Sequence, residues 1–161
     1  MIDIPNGVNV HMDGHTLTAK GPAGEVRKTF HKEVLVTIDG ANITVSAKSK
    51  ALLGTSESVL KSMMKGAKDG FKKSMKLLYA HFPISVEVKD KDINIKNFLG
   101  EKMARRAKLV GSTKVEAKGQ AVTVSGPDKE AVGQTVANMK TAMKIKDKDG
   151  RVFQDGMYDT E

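Results

Sequence analysis

Val8, Val10 and Met12, each apolar and each alternating with a polar neighbour, reappear as Ile84, Val86 and Val88 at a constant offset of 76 residues. Leu17 and Ala19 return at the same offset as Ile93 and Ile95, and Lys20 with Gly24-Glu25 returns as Lys96 with Gly100-Glu101. Three residues are then gained. At an offset of 79, Gly40 matches Gly119, Ile43-Thr44-Val45 matches Val122-Thr123-Val124, and Gly54 matches Gly133. Glycines, strands and a helix shared in one order point to duplication of a unit of roughly 75 to 80 residues. The predicted fold is α+β, with two tandem similar domains from an internal duplication, each a small mainly antiparallel sheet packed with one helix. Residues 1–82 form the first and residues 83–161 the second, joined near Ala80 to Pro83. The 39% hydrophobic content of the 161 residues can supply their cores.

Within the first copy, alternation from Val8 to Met12 and from Leu17 to Ala19 across Asp13-Gly14 predicts a β-hairpin. A glycine-proline loop, Lys20-Gly21-Pro22-Ala23-Gly24-Glu25, follows. Val34, Val36 and Ile38, turned at Asp39-Gly40 into Ile43 and Val45, predict further strands. From Ser49 the period changes to three and four: Leu52, Leu53, Val59, Leu60, Met63, Met64 and Ala67 predict an amphipathic helix that ends between Gly66 and Gly70. Gly54 inside it costs about 1 kcal/mol relative to alanine, a reason to expect something packed closely there. Phe71, Met75, Leu77 and Tyr79 read as a strand, with a helical continuation as the alternative. Val132, Val136, Met139 and Met143 carry the second helix.

The formal charge of +8 directs attention to polyanions, because basic surface attracts phosphate over about a Debye length. Total charge does not separate the halves: residues 1–82 hold 12 cations against 7 acids, and residues 83–161 hold 15 against 12. Clustering does. Lys96, Lys102, Arg105, Arg106 and Lys108 put five cations into 13 residues against the single acid Glu101. Arginine sharpens the cluster, since a guanidinium meets phosphate oxygens in a bidentate way that lysine cannot. Phe98, Leu99 and Met103 can anchor this segment, and Gly100 lets it turn. A second cluster follows the second helix, Lys140, Lys144, Lys146, Lys148 and Arg151, and Phe153 and Tyr158 predict a tail that docks, either on its own domain or on RNA. Nucleic acid leads an acidic membrane as partner. No apolar run approaches the ~20 residues of a span, and Met1-Ile2-Asp3-Ile4-Pro5 lacks the basic-then-apolar pattern of a signal segment, so the expected setting is cytoplasmic.

From near Pro5 to its end, the chain resembles the large-subunit ribosomal protein six family in its archaeal and eukaryotic branch. The resemblance rests on Asn97-Phe98-Leu99-Gly100-Glu101-Lys102 with Arg105-Arg106, on Lys146-Asp147-Lys148-Asp149-Gly150-Arg151-Val152-Phe153-Gln154-Asp155-Gly156-Met157-Tyr158, and on Lys20-Gly21-Pro22 with Leu53-Gly54-Thr55. It implies two domains of one α+β fold and a ribosome-bound structural protein near the elongation-factor binding region. Large-subunit rRNA would be held mainly by the second domain and tail, beside neighbouring ribosomal proteins. The rRNA contacts so implied are Lys96, Asn97, Phe98, Gly100, Lys102, Arg105, Arg106, Lys108, Lys144, Lys146, Lys148 and Arg151. The chain departs from the family at Tyr158-Asp159-Thr160-Glu161, where a more apolar and basic finish is expected, so the last three residues are left out of these contacts.

Enzyme chemistry finds little support. The chain has no cysteine for a thiolate metal site or a thiol nucleophile. His11 and His15, four residues apart, fall on a predicted strand and turn rather than on one helix face, so no metal is expected. Gly21-Pro22-Ala23-Gly24 lacks both the Gly-x-Gly-x-x-Gly spacing and a Lys-Ser or Lys-Thr ending. No cofactor and no small-molecule substrate are expected. Aromatic content of 4% without tryptophan argues against base stacking along a single strand and for folded RNA. Two other classes remain: a protein-interaction module whose basic loops meet acidic partners, and a small phosphate-handling enzyme built on Gly21 to Gly24.

Overall fold

The computed structural model describes residues 2–160; Met1 and Glu161, which enter the readings of the two termini above, lie outside them. In the first repeat the strands are β1 (Ile2–Asp3), β2 (Asn9–Asp13), β3 (Thr16–Gly21), β4 (Gly24–Thr29), β5 (Val34–Asp39) and β6 (Asn42–Ala47), followed by helix α1 (Lys50–Lys68). They form two three-stranded sheets rather than one, in the orders β2-β3-β4 and β1-β6-β5. The Asp13-Gly14 and Asp39-Gly40 turns join antiparallel pairs, as the alternation predicts. β4 is an unexpected strand, and the Gly-Pro loop is shorter than it reads, because Gly21 pairs with Gly24 and leaves Pro22-Ala23 as the turn.

Leu17, Ala19, Val26, Val34 and Ile43 from the sheets meet Leu60, Met63, Met64 and Ala67 from α1 in one buried cluster. Each large side chain so buried contributes roughly 1.5–3 kcal/mol. Helix α1 stops where Gly70, at φ +73, turns the chain and its N–H donates to the Gly66 carbonyl at 3.0 Å. The Gly-Pro turn is sewn to this end of the helix: the Ala23 N–H donates to the Ala67 carbonyl at 3.0 Å, and a Cβ on Gly21 would strike that same carbonyl. The loop therefore satisfies one of the unpaired carbonyls of a helix end. Its glycines serve close packing.

The second repeat begins with β7 (Phe71–Leu78), then β8 (Ser85–Lys89), β9 (Asp92–Lys96), a short 3-10 turn at Phe98–Gly100, β10 (Arg105–Lys108), β11 (Lys114–Lys118), β12 (Ala121–Gly126), helix α2 (Lys129–Ala142) and β13 (Gly156–Asp159). Its sheets run β10-β9-β8 and β11-β12-β7-β13. β7 is a strand, with Met75 and Leu77 buried and Lys72 and Lys76 exposed, which removes the helical alternative. It lies between β12 and β13, as β1 lies beside β6 in the first copy. The repeat thus begins one strand before its hairpin. Accordingly the chain divides at Phe71 and Lys72, upstream of the Ala80 to Pro83 joint: one unit runs through Phe71 and takes in Gly126–Lys129, and the other holds Lys72–Ser125 and the chain from Glu130.

Candidate nucleic-acid interface

The basic segment after β9 is pinned before it is displayed. Ile93 and Ile95 are fully buried, and Phe98, 1% exposed, buries the chain again three residues later. The reversal passes through Asn97 (φ +58), Leu99 (φ +51) and Gly100 (φ +74), of which Leu99 bears roughly 1 kcal/mol or more of left-handed strain. The amide of Asn97 donates to the Pro83 carbonyl at 3.1 Å, and the Glu101 N–H to the Phe98 carbonyl at 3.0 Å. Buried Phe98 is an anchor, not a stacking platform for a base.

β10 then pairs with β9, setting Arg105 opposite Ile95 and Arg106 opposite Asn94. Successive side chains on a strand point to opposite faces, so the two arginines part. Arg105 turns inward. Its Nε and Nη2 donate to the Glu101 carboxylate at 2.8 and 2.6 Å, its Nη1 donates to the carbonyls of Ala142 and Lys144 at 2.9 and 3.0 Å, and its guanidinium carbon lies 4.4 Å from the centre of the Phe98 ring. These bonds hold the Glu101 carboxyl below the usual carboxylate range and push the guanidinium further up. Arg105 is a clamp that ties the loop to the C-terminal end of α2, where a cation also suits the helix dipole. A phosphate would find its donors engaged.

Arg106 and Lys108 are exposed on the other face. With Asn138, Thr141 and Ala142 of α2 they line a hollow of about 310 Å³. The amide of Asn138 donates to the Lys108 carbonyl at 3.0 Å and so holds β10 against the helix. Thr141 also lines a second hollow of about 440 Å³, whose walls include Lys140, Lys144, Phe153 and Tyr158. Asn138 and Thr141 escaped sequence reasoning, because small polar residues on a helix surface carry no signal until a strand is laid beside them.

The other expected contacts divide in the same way. Lys96 lies 2.8 Å from Glu87, and Arg151 is held 3.2 Å from Asp149, whose carboxyl it keeps low. Lys148 sits 4.8 Å above the Phe153 ring. Lys102, Arg106, Lys108, Lys144 and Lys146 are exposed and form no ion pair among the described residues. The tail docks on its own domain: β13 pairs antiparallel with β7, Met157 is buried, and Asp159 lies 2.8 Å from Lys140 and 3.6 Å from Lys73.

The family described as Ribosomal protein L6 matches residues 4–70 and 82–156, one repeat each, on either side of β7. The chain belongs to the ribosomal protein L6 family. It is 45% identical over 166 residues to the large ribosomal subunit protein uL6 of Methanocella arvoryzae, covering 99% of this chain and 94% of that one. The uL6 proteins of Methanobrevibacter smithii and Staphylothermus marinus are 45% and 42% identical, each over 98% of this chain and over 92% and 90% of their own length. This is an archaeal-type L6 protein, and L6 is a structural component of the ribosome rather than an enzyme. Among the described residues of this L6 protein, no helix is long and apolar enough to cross a membrane.

Proposed function

We propose that this protein is a structural constituent of the large ribosomal subunit that binds large-subunit rRNA near the elongation-factor binding region, chiefly through its second unit. The observation that carries the reading is the outward pair Arg106 and Lys108, unpaired and set over the hollow that β10 forms with Asn138 and Thr141 of α2. Folded RNA presents phosphates with 2′-hydroxyls along a shallow groove. Cations on a braced strand, with a threonine hydroxyl beside them, suit that chemistry: phosphate contacts position the protein without reading sequence. Lys144, on the wall of the neighbouring hollow, and the exposed Lys102, Lys146, Lys148 and Arg151 add further cations of the same unit. Relatives named as large ribosomal subunit proteins support a ribosomal setting; in this reading the protein is cytoplasmic and ribosome-bound, beside neighbouring ribosomal proteins and passing elongation factors.

The test is binding of the full chain to a folded large-subunit rRNA fragment from about 50 to 200 mM salt. Each phosphate contact removed flattens the plot of log K against log salt by about 0.7 to 0.9, so Arg106→Ala with Lys108→Ala is expected to flatten it by about 1.5. An unchanged slope and affinity in a variant with native circular dichroism would overturn this assignment. Cross-linking on intact subunits checks the location beside the factor-binding region.

A further inference from the structure

Helix α1 is less stable than its own sequence could make it, and its weak points share one face. Its first turn contains Lys50 and no acid, and Ser49 before it makes no side-chain cap bond, an arrangement opposed to the helix dipole. Gly54 follows one turn later. A Cβ there would meet nothing within 4 Å, so the close packing expected around this glycine is not supplied by the chain itself, in contrast to Gly66, where a Cβ would strike the Pro127 carbonyl. The row continues through Ser58, Lys61 and Lys65 at steps of three and four, all exposed, with Lys68 at its end. Lys65 and Lys68 suit the C-terminal dipole, whereas Lys50 and Lys61 gain nothing from it. None of the four lysines forms an ion pair among the described residues. From Lys50 to Lys65 the row spans about 22 Å at 1.5 Å per residue.

We propose that this face of α1 is a second RNA-docking surface, on which a phosphodiester backbone lies against Gly54 and is gripped by Lys50, Lys61 and Lys65. Each local defect becomes an advantage under that occupant. An anion over the first turn reverses the unfavourable placement of Lys50 and meets the unpaired N–H groups of the helix start. The bare backbone at Gly54 lets the sugar-phosphate chain approach more closely than any side chain would permit. The matched Gly133 of α2 is also open and has Lys129 and Lys140 at the corresponding steps, but Lys140 is held 2.8 Å from Asp159 and the first turn of α2 already carries Glu130, whereas Lys50 and Lys61 form no ion pair among the described residues and the one acid of α1, Glu57, lies outside its first turn. The inference rests on the rRNA-binding reading above and adds to it a separate contact in the first unit.

The experiment compares three variants of the full chain on folded, full-length large-subunit rRNA: Arg106→Ala with Lys108→Ala, Lys61→Ala with Lys65→Ala, and Gly54→Gln. The lysine variant is expected to bind roughly tenfold more weakly and to flatten the salt slope by about 1.5. It is also expected to lose protection of nucleotides that the Arg106 and Lys108 variant still protects. Gly54→Gln is expected to raise the thermal midpoint, because it replaces a helix-interior glycine, while weakening binding. A glycine of merely structural importance would not separate those two readouts. If only the Arg106 and Lys108 variant is weakened, the α1 surface is refuted and the primary reading stands. If none is weakened, both fall. Normal binding of the α1 variants to naked rRNA, with loss from assembled subunits, would assign the face to an acidic protein and overturn the proposal.

Discussion

The third strand of each meander occupies the same place in its repeat and carries opposite chemistry there. In the first copy Val26 stands opposite Ala19; in the second Arg105 stands opposite Ile95, the counterpart of Ala19. Val26 fills the core of its unit, 3% exposed. Arg105 points the same way but ends in four hydrogen bonds and a ring contact that brace an eight-residue connection, Asn97 to Ala104, in place of the two-residue turn Pro22-Ala23. The three residues gained between the copies fall in this connection. One inward position was thus converted from filling a core to holding a loop, and only because it holds does the next residue, Arg106, present its charge at a defined place.

The second repeat is most vulnerable at its first strand. A fragment of residues 83–161 lacks β7, which lies between β12 and β13, and is expected to lose cooperative unfolding by circular dichroism; a fragment beginning at Phe71 is expected to retain it. Folding of the shorter fragment would show that β7 is dispensable to the copy it joins. Next in size is the exchange at the matched position. Arg105→Val makes the second copy resemble the first, yet it strips partners from Glu101 and from the carbonyls of Ala142 and Lys144, so denaturant unfolding is expected to show a loss of roughly 2–3 kcal/mol. Stability unchanged, with rRNA binding weakened as much as by Arg106→Ala, would return Arg105 to the interface.

A weaker, pH-dependent effect is expected at the same contact. Glu101 has its folded pKa lowered, first by its hydrogen bonds to Arg105. Its contribution is therefore fully present above the unfolded value, about 4.3, and is lost as pH falls through the folded value. Between pH 6 and 3, wild type is expected to lose more stability than Glu101→Gln, by a modest amount because the pair is partly exposed. Parallel curves would mean that the carboxylate adds nothing to the clamp.

Much of this architecture is legible in residue order, and the gaps have identifiable causes. The hairpins from Asn9 to Gly21 and from Val34 to Ala47 declare themselves because every second residue is apolar and a glycine turn follows. β4 and β10 do not. β4 buries only Val26 among charged and polar neighbours, and β10 puts an arginine where an apolar residue would mark its inner face. β7 reads correctly as a strand, but its membership depends on partners about forty and eighty residues further along the chain, which no local pattern specifies.

By itself, the order of residues determined the duplication, the α+β class, the two helices and the two clusters of positive charge, because periodicity and composition are local properties that survive without coordinates. Tertiary structure decided which of those charges are available. Arg105 and Arg106 are neighbours in sequence and alike in chemistry, yet the pleat of β10 sends one to the end of α2 and the other outward. Lys96 and Arg151 are taken by Glu87 and Asp149, while Lys61 and Lys65, unremarkable in a list of lysines, form no ion pair among the described residues and share a helix face with an open glycine. A charge's availability depends on what else reaches it, and strand register and helix packing set that across distances in sequence that a linear reading does not span.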